Sequence, residues 1–402
     1  MGKQVIFIAG LYPKEFTDEI QQNAINFLDN AANALQWKYV QGILAQDETN
    51  LKVINAEYIG SYPKKYRSIK IPTRQFGKQY GFEGFDVGFS NLMYIKHISR
   101  ALRLRKSLKR NTDNVDVIFA YAMTTTNIWL LKNIKRERPS VKTCLVVPDL
   151  PEYMNTTNRT SCLYKWRKAL ETRYINRNLK YIDHCTLLTK HMSEKLNISG
   201  KVTICDGMAD EVEYVKKPFG NDGVCRVTYT GSLHERYGVM DLVSSMAYIK
   251  SDKVKLTVCG AGDSSAKIEK ASEKDKRIEF LGLKSSDEIR NIQLNSDILI
   301  SPRRNAEDFV KYSFPSKILE YMSMGRIVLT YRLSSFSEEY DEYLNYIEES
   351  SEPAQGIAQS IERIKSLSED SRDAIGRKNY IFTQKSRLPT INIRRVLDDV
   401  YE

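Results

Sequence analysis

The sequence predicts an α/β protein of two doubly wound domains, and three observations carry the prediction. Strand signals alternate with helical stretches through each half of the chain, the alternation begins afresh near residue 224, and the segment between the two runs mixes Gly, Pro and charge without apolar periodicity. Alternation of this kind builds βαβ units around a parallel sheet. A chain of 402 residues is also long for one core and suits two.

In the first run, strands are expected at "QVIFIAG", "DVIFAYA", "KTCLVVPDL" and "HCTLLTK", with a helix at "TDEIQQNAINFLDNAANAL". The second run reads as "CRVTYTGSL", a helix from Val239 to Ile249, "VKLTVCGAG", a charged helix, "RIEFLGL", a helix from Ser286, and "DILISPRR". The expected organisation is a first domain over 1–205, a linker over 206–224, a second domain over 225–385 and a final segment over 386–402. "KYSFPSKILEYMSMGRIVLTY", from Lys311 to Tyr331, has punctuation at both ends. Pro315 suits a first helical turn because it has no N–H to lose there, Ser313 and Ser316 offer oxygens to the open N–H groups, and Gly325 suits the C′ position. Ile327, Val328 and Leu329 then read as a strand buried on both faces.

With 42% hydrophobic and 28% charged residues the composition is that of a soluble globular protein, not of a disordered or fibrous one. No apolar run is long enough to span a bilayer, and the first residues lead directly into a strand rather than a signal peptide, so a cytoplasmic protein is expected. Six cysteines stand singly, several of them within apolar runs, and read as small buried hydrophobes in a reducing compartment. His97, His184, His191 and His234 are scattered; no metal site is expected.

The formal charge of +11 calls for an anionic partner. "KHISRALRLRKSLKR", Lys96 to Arg110, carries seven basic residues and no acid. At helical spacing Lys96, Arg100, Arg103, Lys106 and Arg110 share a face, with Ile98, Ala101, Leu104 and Leu108 roughly opposite. Two readings stay open, a solvated helix face and a helix lying against anionic lipid head groups. Nucleic acid is the remaining option, but no zinc finger, RNP pattern or basic zipper accompanies the stretch.

Open α/β sheets bind ligands at the carboxyl ends of their strands, so the site is expected between the two halves. The positions just after strands are Gly10, Leu11 and Tyr12, Pro148 and Asp149, Gly231 to Arg236, Gly260 to Asp263, Arg303 and Arg304, and Tyr312 to Lys317. Gly231 and Ser232, followed by Gly238 at a helix start, could let a phosphate approach the main chain, although glycines after strands also serve turn geometry alone. Neither a P-loop nor a G-x-G-x-x-G opening a helix is present. Lys317 stands in a first helical turn, against the helix dipole, where a bound diphosphate would compensate it. Glu320, at i+3, could accept hydrogen bonds from vicinal hydroxyls or simply pair with Lys317.

"YTGSLHERYGV", "VCGAGD", "RIEFLGLKSSDEI", "SDILISPR" and "YSFPSKILEYMSMGRIVLT", in this order, resemble the carboxyl-terminal domain of family 4 retaining glycosyltransferases of GT-B architecture. The likeness is greatest to bacterial members that build capsule, exopolysaccharide or lipopolysaccharide. It covers most of residues 224–385, while the first half agrees in layout, best at "CLVVPDLPEYM". The resemblance implies two Rossmann-like domains facing a central cleft, a nucleotide-sugar donor on the second, an acceptor on the first around Gly10, Leu11 and Tyr12, and a last helix, near Ile391 to Tyr401, crossing back to the first domain. It also implies a UDP-sugar in preference to a GDP-sugar, no cofactor or metal, and base recognition by main-chain groups at the "FLGL" loop, which brings in Leu283.

Residue by residue, Glu320 matches the second glutamate of the family's pair, the one associated with the donor ribose. Tyr312 occupies the place of the first. The family's phosphate-binding arginine and lysine fall on Ser232 and Tyr237, with Arg236 beside the latter, and Pro148 stands where many members have a histidine before Asp149. "SFPSK" with "SPR" resembles a subgroup in which Arg303, Ser316 and Lys317 take over contacts to the diphosphate and sugar, with Tyr312 and Ser313 adjoining. Asp149, Arg303 and Lys317 are therefore the catalytic candidates. Arg303, Arg236 and Lys317 would offset the charge on the leaving nucleoside diphosphate, and Asp149 would orient the acceptor hydroxyl or serve only as a turn residue before Pro151.

The expected function is sugar transfer with retention onto a lipid-linked or growing polysaccharide in cell-surface glycan biosynthesis. Arg100, Arg103, Lys106 and Arg110 would hold the protein peripherally on the inner face of the membrane. The alternatives are a nucleotide-sugar epimerase of the same fold, a degenerate sugar-nucleotide-binding partner of another glycosyltransferase, and a polyanion binder.

Overall fold

Strands buried on both faces need helices above and below them, and each half of the chain meets that need with its own sheet. The computed structural model describes residues 2–25, 28–153, 162–196, 198–216 and 223–402. The chain divides into two units, Met1–Met208 with Pro389–Glu402, and Ala209–Leu388.

The first unit contains strands β1 (Lys3–Ala9), β2 (Thr49–Asn55), β3 (Lys70–Phe76), β4 (Glu83–Ser90), β5 (Val117–Tyr121), β6 (Lys142–Val147), β7 (His184–Leu187) and β8 (Lys201–Ile204). Its helices are α1 (Thr17–Asn23), α2 (Asn30–Leu44), α3 (Lys96–Asn111), α4 (Thr125–Glu137), α5 (Cys162–Asn178) and α6 (Lys190–Lys195). The sheet order is β3-β4-β2-β1-β5-β6-β7-β8, parallel except for the antiparallel β3–β4 pair. Central β1 runs in register with both neighbours, Val5 facing Leu51 and Val117, and its apolar residues are buried. The four anticipated strands are β1, β5, β6 and β7. Of the others, β3 and β4 were not legible because "KIPTRQF" and "EGFDVGFS" carry the Pro, Gly and charge that strands at the edge of a sheet tolerate. The helix expected as one piece over 17–35 is two, since Asp29 caps α2 by accepting from Ala32 N–H at 3.1 Å.

Helix α3 turns its faces differently from the sequence expectation. Leu104 and Leu108 are buried, and so is Lys96, whose ammonium donates to Ile59 O. Arg100 is drawn in as well, donating to Ala56 O with its guanidinium 4.7 Å from the Tyr58 ring. Ile98, expected among the apolar residues opposite the basic face, is 64% exposed, and Leu102 is 58% exposed. Arg103, Lys106 and Arg110 remain at the surface. The reason is that open carbonyls at the end of β2 can be satisfied by long cationic side chains, which therefore outcompete Ile98 for the covered face.

The second unit contains β9 (Cys225–Thr230), β10 (Val254–Cys259), β11 (Ile278–Gly282), β12 (Ile298–Ser301), β13 (Ile327–Thr330) and β14 (Asn345–Tyr346), ordered β11-β10-β9-β12-β13-β14 and parallel throughout. Helices α7 (Val239–Ser245), α8 (Ser265–Lys274), α9 (Ser286–Leu294), α10 (Lys317–Ser323), α11 (Pro353–Lys365) and α12 (Glu369–Ser386) flank it. A capping box between Ser285 and Glu288 starts α9. Helix α10 begins at Lys317, and Ser316, although its N-cap, makes no side-chain cap bond, contrary to the capping expected of it. The segment is anchored instead by Phe314, whose ring lies 5.5 Å from Phe336 and 5.4 Å from Tyr340. Gly325, at φ +65°, ends the helix as expected.

Of the stretch read as a linker, residues 209–216 pack on the second unit: Tyr214 donates to Asp373 at 2.8 Å, and Val212 O accepts from Tyr380 at 2.9 Å. Residues 217–222 lie outside the described residues. The last helix, α13 (Pro389–Tyr401), belongs to the first unit and packs on α2. Gly42 permits this contact, because a Cβ there would sit 2.3 Å from Ile393 Cγ1. Five cysteines are buried, whereas Cys162, at the start of α5, is exposed. No helix among the described residues is long and apolar enough to cross a membrane.

Candidate active site

The carboxyl ends of β9, β10, β12 and the start of α10 bring together most of the sequence candidates in the second unit. Gly231, at φ +154°, leaves β9, and a Cβ on it would meet Tyr229 Oη at 3.2 Å and Lys317 Cε at 3.9 Å. Its bare main chain therefore borders Lys317 directly. The loops after β9 and β10 touch through backbone, since a Cβ on Gly260 would lie 1.8 Å from Gly231 O. Gly238, at φ +75°, brings the same β9 loop against Pro302 O, where a Cβ would be 2.3 Å away. Tyr229 fixes the turn by donating to Ser232 O at 2.8 Å, and its burial pushes its hydroxyl up.

Lys317 Nζ lies 3.0 Å from both oxygens of Glu320, so the i+3 pair is formed, with both side chains about one-third exposed. Behind the carboxylate stands Gln293 of α9, which is buried. Its Nε2 donates to Glu320 Oε1 at 2.6 Å and to Thr230 Oγ1 at 2.9 Å. Thr230 is held in turn by Tyr321, whose hydroxyl accepts from Thr230 N–H at 2.8 Å and donates to Thr230 O at 3.0 Å. Neither Gln293 nor Tyr321 was foreseen. The available signal was a polar residue at i+4 from Ile289, on the inward stripe of α9.

Arg303 follows β12, largely covered, with its guanidinium 5.7 Å from the Tyr237 ring and 5.1 Å from that of Phe309. Its Nη2 is buried with no hydrogen-bond partner among the described residues. Burial lowers its basicity, and neighbouring Arg236, itself 5.0 Å from the Tyr237 ring, adds to the effect. An unpartnered buried guanidinium N–H beside a second cation is an arrangement that an anion would complete. Arg304 is instead engaged with Asp241 at 3.0 Å. Tyr312 and Ser313 are half-buried in the loop before α10, Ser316 is exposed, and Leu283 stands out at 69% exposed beyond β11. A second pairing that sequence reading missed joins His234 Nδ1 to Asp263 Oδ2 at 3.0 Å. Asp263 also accepts from Glu235 N–H, and the His234 contact, first among these interactions, holds its carboxyl below the ordinary value.

In the first unit, Gly10, Leu11 and Tyr12 follow β1. Gly10 N–H donates to Gln36 Oε1 and Tyr12 N–H to Asn33 Oδ1, each at 2.7 Å, while the Leu11 and Tyr12 side chains are buried. The main chain of this loop is engaged as well, since Gly10 O accepts from Tyr58 N–H, Leu11 O from Asn55 and Tyr12 O from Trp37. Asp149, after β6, is at the surface; desolvation by the protein around it, then the charge of Asp29, raises its carboxyl above the ordinary value. A buried cluster of ionisable groups spans β2, β4 and β3: Arg74 meets Glu57 at 2.9 Å and Asp86 at 3.6 Å, and Asn55 donates to Asp86 at 2.6 Å. No group of three or more metal-ligating side chains occurs among the described residues.

The fold with this arrangement of strand ends is the GT-B fold of glycosyltransferases. Residues 225–366 match the family model described as "Glycosyl transferases group 1". Among solved structures, WaaG, a glycosyltransferase involved in lipopolysaccharide biosynthesis, superposes at TM-score 0.60 with 13% identity, covering 98% of each chain. The trehalose-6-phosphate synthase OtsA superposes at TM-score 0.67 with 8% identity, over 100% of this chain and 99% of that one. Alr3699/HepE of Anabaena, solved in complex with UDP and glucose, does so at TM-score 0.61 with 12% identity over 99% of each. No curated protein matches the chain in sequence.

Proposed function

We propose that the protein is a glycosyltransferase that takes a sugar from a nucleotide donor, with retention of configuration, and passes it to a lipid-linked or growing polysaccharide acceptor in cell-surface glycan biosynthesis. The observation that carries the reading is the Lys317–Glu320 pair beside the bare main chain of Gly231, within the segment that matches a glycosyltransferase family. Glu320 accepts the ribose hydroxyls, and Lys317, Arg303 and Arg236 stabilise the leaving diphosphate, which does not require a metal. A departing phosphate oxygen helps to deprotonate the acceptor hydroxyl, and Asp149 of the first unit orients it. A UDP-sugar is the preferred donor; UDP with glucose in the Anabaena relative of this fold supports it.

The acceptor places the protein on the inner face of the cell membrane. Support comes from α3 and the residue that precedes it, where exposed Ile95, Ile98 and Leu102 come before exposed Lys106 and Arg110, an arrangement that fits the boundary of an anionic bilayer.

The test is a thermal-shift panel of UDP, GDP, ADP, TDP and CMP, with and without attached sugars, in EDTA and then in magnesium. A ligand that binds only the folded state raises the melting temperature. Stabilisation by one nucleoside diphosphate in EDTA, lost in Glu320→Ala, supports the reading. Binding without transfer to any acceptor would favour a degenerate sugar-nucleotide-binding partner, the reading suggested by Tyr312, Ser232 and Pro148 at positions where the related family carries charge.

A further inference from the structure

The Glu320 carboxylate is oriented as well as paired. Gln293 has two amide protons on Nε2, and both are committed, one to Thr230 Oγ1 at 2.9 Å and one to Glu320 Oε1 at 2.6 Å. The amide cannot turn over without setting its oxygen against the carboxylate, which costs a buried charge-assisted hydrogen bond. Thr230 Oγ1 cannot move away either. Its backbone N–H and C=O are both held by the Tyr321 hydroxyl, at 2.8 and 3.0 Å, and its own hydroxyl lies 3.2 Å from that oxygen. A rigid relay thus runs from the end of β9 through Tyr321, Thr230 and Gln293 to one oxygen of Glu320. Among the described residues only Lys317, at 3.0 Å and about one-third exposed, shares the carboxylate from the solvent side.

We propose that Gln293 is a positioning residue: by occupying Oε1 it turns Oε2 of Glu320 toward the vicinal hydroxyls of the bound nucleotide. The proposal rests on the reading of Glu320 given above. It assigns to a buried amide on α9, which touches no ligand itself, control over how strongly the ribose is held.

The experiment is a double-mutant cycle read by calorimetric titration of UDP and, separately, of GDP. Gln293→Met, which keeps the volume and removes both donors, is expected to weaken binding of the nucleotide roughly tenfold, the effect of one charge-assisted hydrogen bond. In a Glu320→Ala background the same substitution is expected to change nothing, because a residue that acts through Glu320 has no further effect once Glu320 is gone. Gln293→Glu supplies the rescue. Two carboxyl groups at this separation share a proton in acid and repel when both are ionised, so this variant is expected to bind nearly as the wild type does at low pH and to lose affinity as pH rises. Thermal melting of each variant reports folding independently. Unchanged affinity in Gln293→Met, or an equal loss with and without Glu320, would overturn the proposal. If the wild-type protein takes up neither nucleotide, the donor reading falls and the proposal with it.

Discussion

Lys317 Nζ stands 3.0 Å from both carboxylate oxygens of Glu320, one helical turn along, so a cation in the first turn of α10 is neutralised by an acid that is itself tied to Gln293. On the donor reading proposed above, a phosphate arriving at Lys317 would meet a charge that is already partly shared.

For the pair itself, Lys317→Ala is expected to lower kcat/KM by roughly one to three orders of magnitude, the loss of an oxyanion-type donor. Glu320→Ala is expected to raise the Kd for the nucleoside diphosphate. Steady-state kinetics and calorimetry check the two, and a change in kcat/KM below about twofold would remove Lys317 from the site.

Arg303 makes the complementary case. Its buried Nη2 has no hydrogen-bond partner among the described residues, so Arg303→Lys, which keeps the charge and loses the planar fork, is expected to lower diphosphate affinity nearly as much as Arg303→Ala. Equal affinity in Arg303→Lys and the wild type would mean that only charge matters there.

Stability should depend on pH through Asp86. Burial, then the charge of Glu57, raises its carboxyl to about 8 in the folded protein, while in the unfolded chain it titrates near 3.8. Between those values the folded state binds the extra proton, so this group's contribution is present in acid and is lost as pH rises toward 8. Asp86→Asn keeps the neutral form throughout, and denaturant unfolding of this variant at pH 5, 7 and 8.5 is expected to show a flatter profile than the wild type.

Gly42→Val tests the return of the chain to the first unit. A Cβ at position 42 lies 2.3 Å from Ile393 Cγ1 and 2.6 Å from Pro389 O, so α13 must shift, at a cost of about 1–3 kcal/mol. Chemical denaturation checks the size, and unchanged stability would show that α13 is not held against α2.

On α3 the apolar and basic exposed positions make separable contributions. Ile98→Ser with Leu102→Ser is expected to reduce binding to vesicles containing anionic lipid even at high salt. Neutralising Arg103, Lys106 and Arg110 is expected to remove only the salt-sensitive part. Arg100→Ala is expected to destabilise the first unit instead, since its guanidinium serves Ala56 O and the Tyr58 ring.

Local sequence determined much of this protein. Apolar runs such as "VIFIA" and "DILIS" are buried on both faces, as strands of a covered parallel sheet are, and Gly325 could end α10 because it adopts φ +65° without strain. Lys317 and Glu320 were legible because i and i+3 share a helix face whatever the rest of the chain does. What the tertiary structure decided were partnerships between residues far apart in the chain. Gln293 reaches Glu320 across 27 residues, His234 finds Asp263 across 29, and Arg100 turns inward to a carbonyl 44 residues away. Periodicity gives a helix its faces, but which face is covered depends on the unpaired polar groups that the neighbouring strands present, and those exist only once the sheet has formed.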